Sequence, residues 1–436
     1  MKEQSSARDQ LERIYRAAVA AVDPAKLVHR AIDDADIAAL VAGSSRVYLL
    51  AVGKAASSMT SAIATRLGDK LEAATVVALP GSHPTLPDDR RIRIYESSHP
   101  LPSSASENGA KAALAMLANA RADNLVIVAL SGGASAMFAM PPDRVLLTDK
   151  IALTQSLLRT GASIRELNAV RKHLSLIKGG QLLRAMNGAR VLGLILSDVP
   201  DSDLATIGSG LTAPDPSTYS EVISILKRRQ VWGRAPESIR DHLERGNAGE
   251  IAETPKAGDP IFARVTNVVI GDNATALEAA EATAREFGYT VDRWRELRGE
   301  ANDLGRSLAS HLCAMKTERV CVIAGGEPVV TVRGSGKGGR AQQSALAMAS
   351  EMSRIATSKK IAALFAGTDG VDGPTDAAGA FVSTDSTMRA SALGLDAEAF
   401  LNRNDAYTFF DKIGDLFKPG ATGSNVADIF IGLIGY

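Results

Sequence analysis

The residues able to do chemistry in this chain gather where an apolar run breaks into glycine. Val52-Gly53-Lys54-Ala55 follows the run VYLLAV and sets a lysine at the first turn of a helix. A helix N-terminus disfavours a cation, so a bound anion would offset that cost. A surface lysine beside an ordinary strand-to-helix turn has the same letters. It is not a Walker A loop, because the GxxxxGK[ST] spacing is absent. Ser131-Gly132-Gly133-Ala134-Ser135 follows LVIVAL and places hydroxyls on both sides of paired glycines. Its donors would converge on the carboxyl edge of a sheet, where open α/β sheets bind ligands. A tight turn with Ser135 as a helix cap is the plainer alternative.

Arg333-Gly334-Ser335-Gly336-Lys337-Gly338-Gly339-Arg340 interleaves cations with glycines between a strand and a helix. It satisfies GxGxxG, yet no acidic residue falls about twenty positions later to hold a ribose. Gly336, Lys337 and Gly338 therefore read as part of a flexible clamp on phosphate, for which arginine's planar fork is well shaped, with a solvated surface loop as the plainer alternative. Asp369 and Asp372 lie in the glycine turns after the run ending at Phe365. Mg²⁺ takes one or two carboxylates together with phosphate oxygens, so such a loop suffices for it. Asp198 ends the run VLGLIL in the same manner. Asx-turn chemistry accounts for some of these aspartates.

Ile164–Lys178 has the period of an amphipathic helix, with Leu167, Val170, Leu174 and Ile177 as its buried stripe. Asn168, Arg171, Lys172, Ser175 and Lys178 share the other face, a donor-rich surface suited to a carboxylate or phosphate. A solvated helix face has the same pattern. His99-Pro100 and His83-Pro84 read as turn entries.

These loops need a scaffold of strands and helices. Short β-branched runs alternate with alanine-rich helical stretches, the pattern of an α/β fold with a parallel sheet. Val47–Val52, Leu125–Leu130 and Val191–Leu196 are continuously apolar, as strands buried on both faces are. Val320–Ala324, Ile361–Phe365 and Ile429–Ile434 are the strands of the second half, with Val329–Val332 as a hairpin partner. At 436 residues two domains are expected. The Gly-, Pro- and charge-rich stretch 245–262 places the boundary so that the domains are 1–245 and 246–436.

Composition narrows the function. Lys plus Arg and Asp plus Glu both number 49, and no basic stripe marks a nucleic-acid binder. Two cysteines, Cys313 and Cys321, are too few for a disulfide framework. The N-terminus lacks the apolar core of a signal peptide, and no apolar run approaches a membrane span. A cytoplasmic protein with no membrane partner is expected.

The chain resembles the glycerate 2-kinase family that ends in a MOFRL domain, sequences that also carry the name hydroxypyruvate reductase. The resemblance rests on VGKAASSM, SSHPLPSSAS, LVIVALSGGASAM, LNAVRKHLSLIKGGQL, LILSDVPDSDLATIGSGLTAPDPST and GDNATALEAA. In the second half LRGEAND, AGGEPVVTVRGSGKGGRAQQ, FAGTDGVDGPTDAAGAFV and TGSNVADI continue it in the family's order. It implies an N-terminal Rossmann-like domain and a C-terminal MOFRL α/β domain with the active site in the cleft between them. It implies transfer of the γ-phosphate of ATP, with Mg²⁺, to the 2-hydroxyl of D-glycerate. By position it implies Lys54 and Arg340 as catalytic cations. Ser131 to Ser135, the Asn168–Lys178 segment, Asp198 and Glu327 follow as cleft lining, with Asp198 orienting or deprotonating the attacking hydroxyl. The partners implied are the small-molecule acid and the nucleotide; a homo-oligomer is left open. Ala341 and Gln343 stand where the family has an amide and an acid, and the tail PGATGSNVAD lacks a proline after its first glycine. Two other readings stand beside this one: an NAD(P)H-dependent hydroxypyruvate reductase using the GxGxxG loop, and a non-catalytic nucleotide- or sugar-acid-binding module.

Overall fold

An apolar run with no polar alternation is stable only between two covering layers. Val47–Val52 (β1) is such a run, fully buried inside a sheet of the computed structural model, which describes residues 2–82 and 86–436. The His83-Pro84 turn lies outside the described residues. The chain forms two compact units, residues 24–270 and residues 1–23 with 271–436.

In the 24–270 unit β1 is joined by β2 (Leu71–Ala78), β3 (Ile92–Glu96), β4 (Leu125–Leu130), β5 (Arg190–Leu196) and β6 (Val265–Gly271), in the order β3-β2-β1-β4-β5-β6. The pairings from β3 through to β5 are all parallel. Strand order runs outward in opposite directions from β1 and β4, so their carboxyl ends form the switch point where such sheets bind ligands. Leu50, Val52, Val126 and Val128 pack on Ala110, Ala113 and Leu117 of the Ser104–Leu117 helix. A separate helical cluster of Leu153, Leu157, Leu167, Val170 and Leu174 packs on Tyr219, Val222, Ile225 and Leu243. That cluster fixes the Ile164–His173 helix.

The second unit departs from the expected parallel pattern. Its sheet of β7 (Thr290–Arg293), β8 (Val320–Gly326), β9 (Ile361–Gly367), β10 (Gly379–Ser383), β11 (Leu416–Phe417) and β12 (Asp428–Ile434) runs β11-β10-β9-β12-β8-β7. Only β7 and β8 pair in parallel; β12 enters between β8 and β9 antiparallel to both. Alternating helices and strands do not reveal where a final strand inserts. The hairpin expected at Val329–Val332 is absent: Val329 makes one bridge to Glu300, and the Thr331 amide donates to the Glu300 carboxylate instead of a ladder. Gly305 lets the Ala301–Ala314 and Arg340–Ile355 helices touch, since a Cβ there would sit 2.2 Å from the Ser344 carbonyl oxygen.

The units divide at 23/24 and 270/271 rather than at 245/246. The Lys2–Ala21 helix belongs to the second unit, where Tyr15 donates to the Gly367 carbonyl at 2.7 Å and Ser424 donates to that of Val22 at 2.8 Å. The stretch 245–262, for all its glycine and proline, folds back on its own unit: the Asp215 amide donates to the Pro255 carbonyl and Thr254 to the Asp215 carboxylate.

Asp415, fully buried, is held by Arg389 through both guanidinium amino groups, at 2.5 and 3.1 Å, and by Arg8 of the N-terminal helix. Removing one partner of a buried ion pair leaves its charge uncompensated. Asp415→Ala is expected to cost about 3–5 kcal/mol of stability, read as a lower urea midpoint. An unchanged midpoint would show that Arg389 and Arg8 are solvated without it.

Candidate functional site

Two clusters of the predicted residues form, each within its own unit. In the 24–270 unit the turns after β1 and β4 lock together through their backbones. Lys54 N donates to the Gly132 carbonyl at 2.9 Å and Ala55 N to Ser131 Oγ at 3.0 Å. Gly53 sits at φ +122°, and a Cβ on it would lie 2.4 Å from Ser131 Oγ. Lys54 is half-buried and Gly133, at φ +87°, starts the short Ala134–Met137 helix. Asp198 follows β5, the strand beside β4, and is half-buried.

Ser135 extends this cluster to the Ile164–His173 helix. Its hydroxyl shares a hydrogen bond with that of Ser209 at 2.9 Å, and Ser209 Oγ donates to Asn168 Oδ1 at 3.4 Å. Lys178 Nζ donates to the Ser135 carbonyl at 3.0 Å. The helix stops at His173, because Leu174 takes φ −104° and ψ 41°, so Ser175 and Lys178 lie beyond it. Asn168 and Lys178 are 4% and 1% exposed, and Lys172 is buried against Asp215 at 3.3 Å. Burial drives the Lys178 pKa well down, with Lys150 and Arg171 adding to the effect. Burial, helped by Arg171, brings Lys150 down to about 7, and burial lowers Arg171 as well. Among the described residues the Arg171 guanidinium has no hydrogen-bond or ion-pair partner.

In the other unit the ends of β8 and β9 and the start of β12 share one sheet edge, with Asp428 opposite Gly326 and Gly367. Arg340, at the first turn of its helix, grips Asp428 through Nε at 2.6 Å and Nη2 at 3.1 Å. Its Nη1 donates to Glu327 at 2.5 Å. Burial opposes the Arg340 charge, but Asp428 and Glu327 overcome it and hold the guanidinium protonated. Burial pushes Asp428 up to about 6 despite Arg340. Asp372 is pushed up to about 7 by burial and by Asp428. Asp372 caps the Arg340–Ile355 helix from outside, accepting the amides of Ala341 at 3.1 Å and Gln342 at 2.8 Å. Asp369 is half-buried at the end of β9, where it accepts the Val371 amide at 3.1 Å.

The 334–339 loop differs from the flexible clamp that its letters suggest. The amides of Arg333 and Gly334 donate to Asn404, that of Gly336 to the Arg403 carbonyl, and that of Lys337 to Asp405. None of its glycines has a positive φ. They are there for contact: a Cβ would meet the Arg403 backbone at 2.2 Å from Gly334 and Asp405 at 2.4 Å from Gly336. Lys337 Nζ lies 3.9 Å above the Tyr407 ring.

Sequence reasoning passed over Asp428, Lys150 and Ser209. Asp428 opens an apolar strand, an unusual place for a carboxylate without a partner, and that was the signal available. Ser209 lies in the family stretch LILSDVPDSDLATIGSGLTAPDPST without standing out there, and nothing in the letters marks Lys150. Among the described residues no three His, Cys, Asp or Glu side chains group as a metal cage, and no helix is long and apolar enough to cross a membrane.

Two family models match the chain: "Domain of unknown function (DUF4147)" over residues 10–244 and "MOFRL family" over residues 320–428. A glycerate 2-kinase of Pyrococcus horikoshii is 36% identical, over 97% of this chain and 96% of its own. A relative from Agrobacterium vitis, also 36% identical, over 99% of this chain and 95% of its own, bears a provisional hydroxypyruvate reductase name. The crystal structure of a glycerate kinase from Thermotoga maritima superposes with a TM-score of 0.86 at 34% identity, covering 99% of this chain and 100% of that one.

The locked turns can be tested without an assay of activity. Gly53→Ala forces a side chain into Ser131 at a left-handed backbone, so a loss of roughly 1–3 kcal/mol in denaturant unfolding is expected. Wild-type stability would show that the two turns do not abut.

Proposed function

The chain belongs to the glycerate kinase family, and on that premise we propose that it transfers the γ-phosphoryl group of ATP to the 2-hydroxyl of D-glycerate, giving 2-phosphoglycerate and ADP. The observation that carries this is the backbone lock between the Lys54 and Ser131–Gly133 turns at the switch point of the parallel sheet. Phosphoryl transfer has a loose transition state, so catalysis is mainly positioning and charge stabilisation. A lysine on a fixed turn beside glycine amides supplies both.

We assign Lys54 and Arg340, each within its own unit, to the stabilisation of phosphate charge. Arg340 is oriented by Asp428 and Glu327, which fix its plane while keeping it charged. Asp198, at the end of β5, is assigned to the acceptor hydroxyl, which it orients or deprotonates. Asn168, Arg171, Lys178 and the Ser131–Ser135 turn bind substrate or phosphate. The Gly336-Lys337-Gly338 stretch can contribute its lysine to phosphate, since the amides of Gly336 and Lys337 are already engaged.

Mg²⁺ needs one or two carboxylates and completes its shell with phosphate oxygens and water. Asp369, half-buried at a strand end, fits that demand. Asp372 fits less well as a ligand, because each of its oxygens accepts a helix amide. The ion supplies neutralisation of phosphate charge when bound.

The reductase alternative would need the 334–339 loop to face a pyrophosphate with its amides, and four amides from Arg333 to Lys337 are already taken. Two cysteines without a disulfide agree with work in the cytoplasm.

A coupled assay of ADP release with MgATP and D-glycerate, run beside NADH and NADPH oxidation with hydroxypyruvate, decides between these chemistries. Nicotinamide oxidation without glycerate-dependent ADP release would sink the kinase assignment. In the same assay Lys54→Ala and Arg340→Ala are each expected to lower kcat by roughly 10²–10³-fold, as the loss of one charge-stabilising donor does. Near-normal turnover in either variant removes that residue from the set. Asp428→Asn, which loosens Arg340 without removing it, should lower kcat by roughly 10–10²-fold and leave KM for glycerate nearly unchanged. A KM effect alone would place Asp428 outside the transfer step.

A further inference from the structure

A buried ammonium needs an anion, several acceptors, or the loss of its proton. Lys178 is 1% exposed, and among the described residues its Nζ makes one hydrogen bond, to the Ser135 carbonyl. Lys150, 5% exposed, points its Nζ at the Arg171 and Leu174 carbonyls at 3.3 and 2.6 Å. The Arg171 guanidinium has no partner among the described residues. Three cationic side chains thus bear on one another inside the 24–270 unit.

The carboxylates around them are engaged elsewhere. Asp215 is held by Lys172 at 3.3 Å, and Glu253 by His173 Nε2 at 2.8 Å. His173 Nδ1 faces the Ala169 carbonyl at 2.9 Å and Asp215 at 3.6 Å. Glu166 is taken by Arg228 and Arg229 at 2.8 and 2.6 Å. Glu107, on the Ser104–Leu117 helix, is the one carboxylate that acts on Lys150, and its effect is the smallest of the three on that group. Among the described residues no carboxylate is bonded to Lys150, Arg171 or Lys178, and their side-chain donors meet only carbonyls.

We propose that Arg171 and Lys178 take the carboxylate of the hydroxy acid, and that the buried lysines Lys178 and Lys150 become fully protonated only with that anion in place, so that binding draws a proton from solvent. A carboxylate suits the place because a planar guanidinium matches it with two parallel hydrogen bonds. Asn168, Ser209 and Ser135, joined in one hydrogen-bonded chain, stand beside it to take up the neighbouring hydroxyls. The proton passes from a buffer acid to a lysine amine lone pair, and no bond of the substrate changes. Lys150 is a positioning residue: it reaches only the carbonyls at the end of the Ile164–His173 helix and acts on the anion through charge. The lowered Lys150 and Lys178 values agree with a resting state that is short of protons. The identity of the acid rests on the kinase reading; the proton coupling does not.

Isothermal titration of the full chain with D-glycerate at pH 8, without nucleotide and in buffers of different ionisation enthalpy, reads the protons directly. With Lys150 near 7, about nine-tenths of it is unprotonated at pH 8. The heat should therefore vary with buffer enthalpy, with a slope of roughly one to two protons taken up per glycerate, the two lysines together. Lys150→Met should lower that slope by about one proton while glycerate still binds. No binding, or binding with zero slope in the wild type, would overturn the proposal, and the wild-type series needs no variant to fold. A slope untouched by Lys150→Met would remove Lys150 from it. Inorganic phosphate, titrated in the same way, separates the sources of the anion: proton uptake with phosphate and none with glycerate overturns the carboxylate assignment. ADP release without proton uptake would leave the kinase reading standing and this inference fallen; proton uptake by glycerate without ADP release would do the reverse.

Discussion

The approach of Gly53 to Ser131 is the contact on which the first unit's site depends. Two parallel strands, β1 and β4, end side by side, and their following turns can share donors only if one carries no side chain. Gly53 meets that need at a φ of +122°, bringing the Lys54 and Ala55 amides onto Gly132 and Ser131. The continuous burial of both strands makes the lock rigid, since neither can shift in register without exposing apolar surface. The lysine side chain thereby begins from a fixed point at the sheet's switch point.

The second unit reaches a comparable result by different topology. Its sheet edge gathers charged groups because β12 runs antiparallel to β8 and β9, so that a strand's beginning meets two strands' ends. Asp428 can hold Arg340 only in that arrangement. Asn273 secures the approach to β12 by donating to the carbonyls of Val426 and Asp428, and Thr368 does so by donating to that of Ala427. The TGSNVAD tail is thus shaped by side chains from distant parts of the sequence.

That contrast explains what was legible in the letters. β1, β4 and β5 were plain, because burial on both faces demands unbroken apolar runs. The Lys54 and Ser131–Ser135 turns followed from where those runs stop. The antiparallel second sheet was not legible, since the place of β12 depends on its pairing with strands far earlier in the sequence. The 334–339 glycines misled for a subtler reason: glycine answers a need for unusual φ or a need for close approach, and the letters do not say which. Here it is close approach to Arg403 and Asp405. The period that carried a helix on to Lys178 was likewise ambiguous, because Leu174 and Ile177 stay buried in an irregular turn beyond the helix.

Net charge conceals the most informative feature of both units. The chain balances 49 basic against 49 acidic residues, which by itself argues only against a polyanionic partner. Burial sorts those charges unevenly. Lys150 and Lys178 sit in the 24–270 unit with their pKa values depressed, while Asp372 and Asp428 sit in the other unit with theirs raised. The two lysines lack a bonded carboxylate because those around them are tied into pairs of their own, whereas Asp428 has Arg340, which it shares with Glu327. A fold selected for stability alone would replace such groups with apolar ones, often at no loss. Lys150 and Lys178 contribute little to stability where they stand, and a bound carboxylate would supply the charge that their surroundings lack.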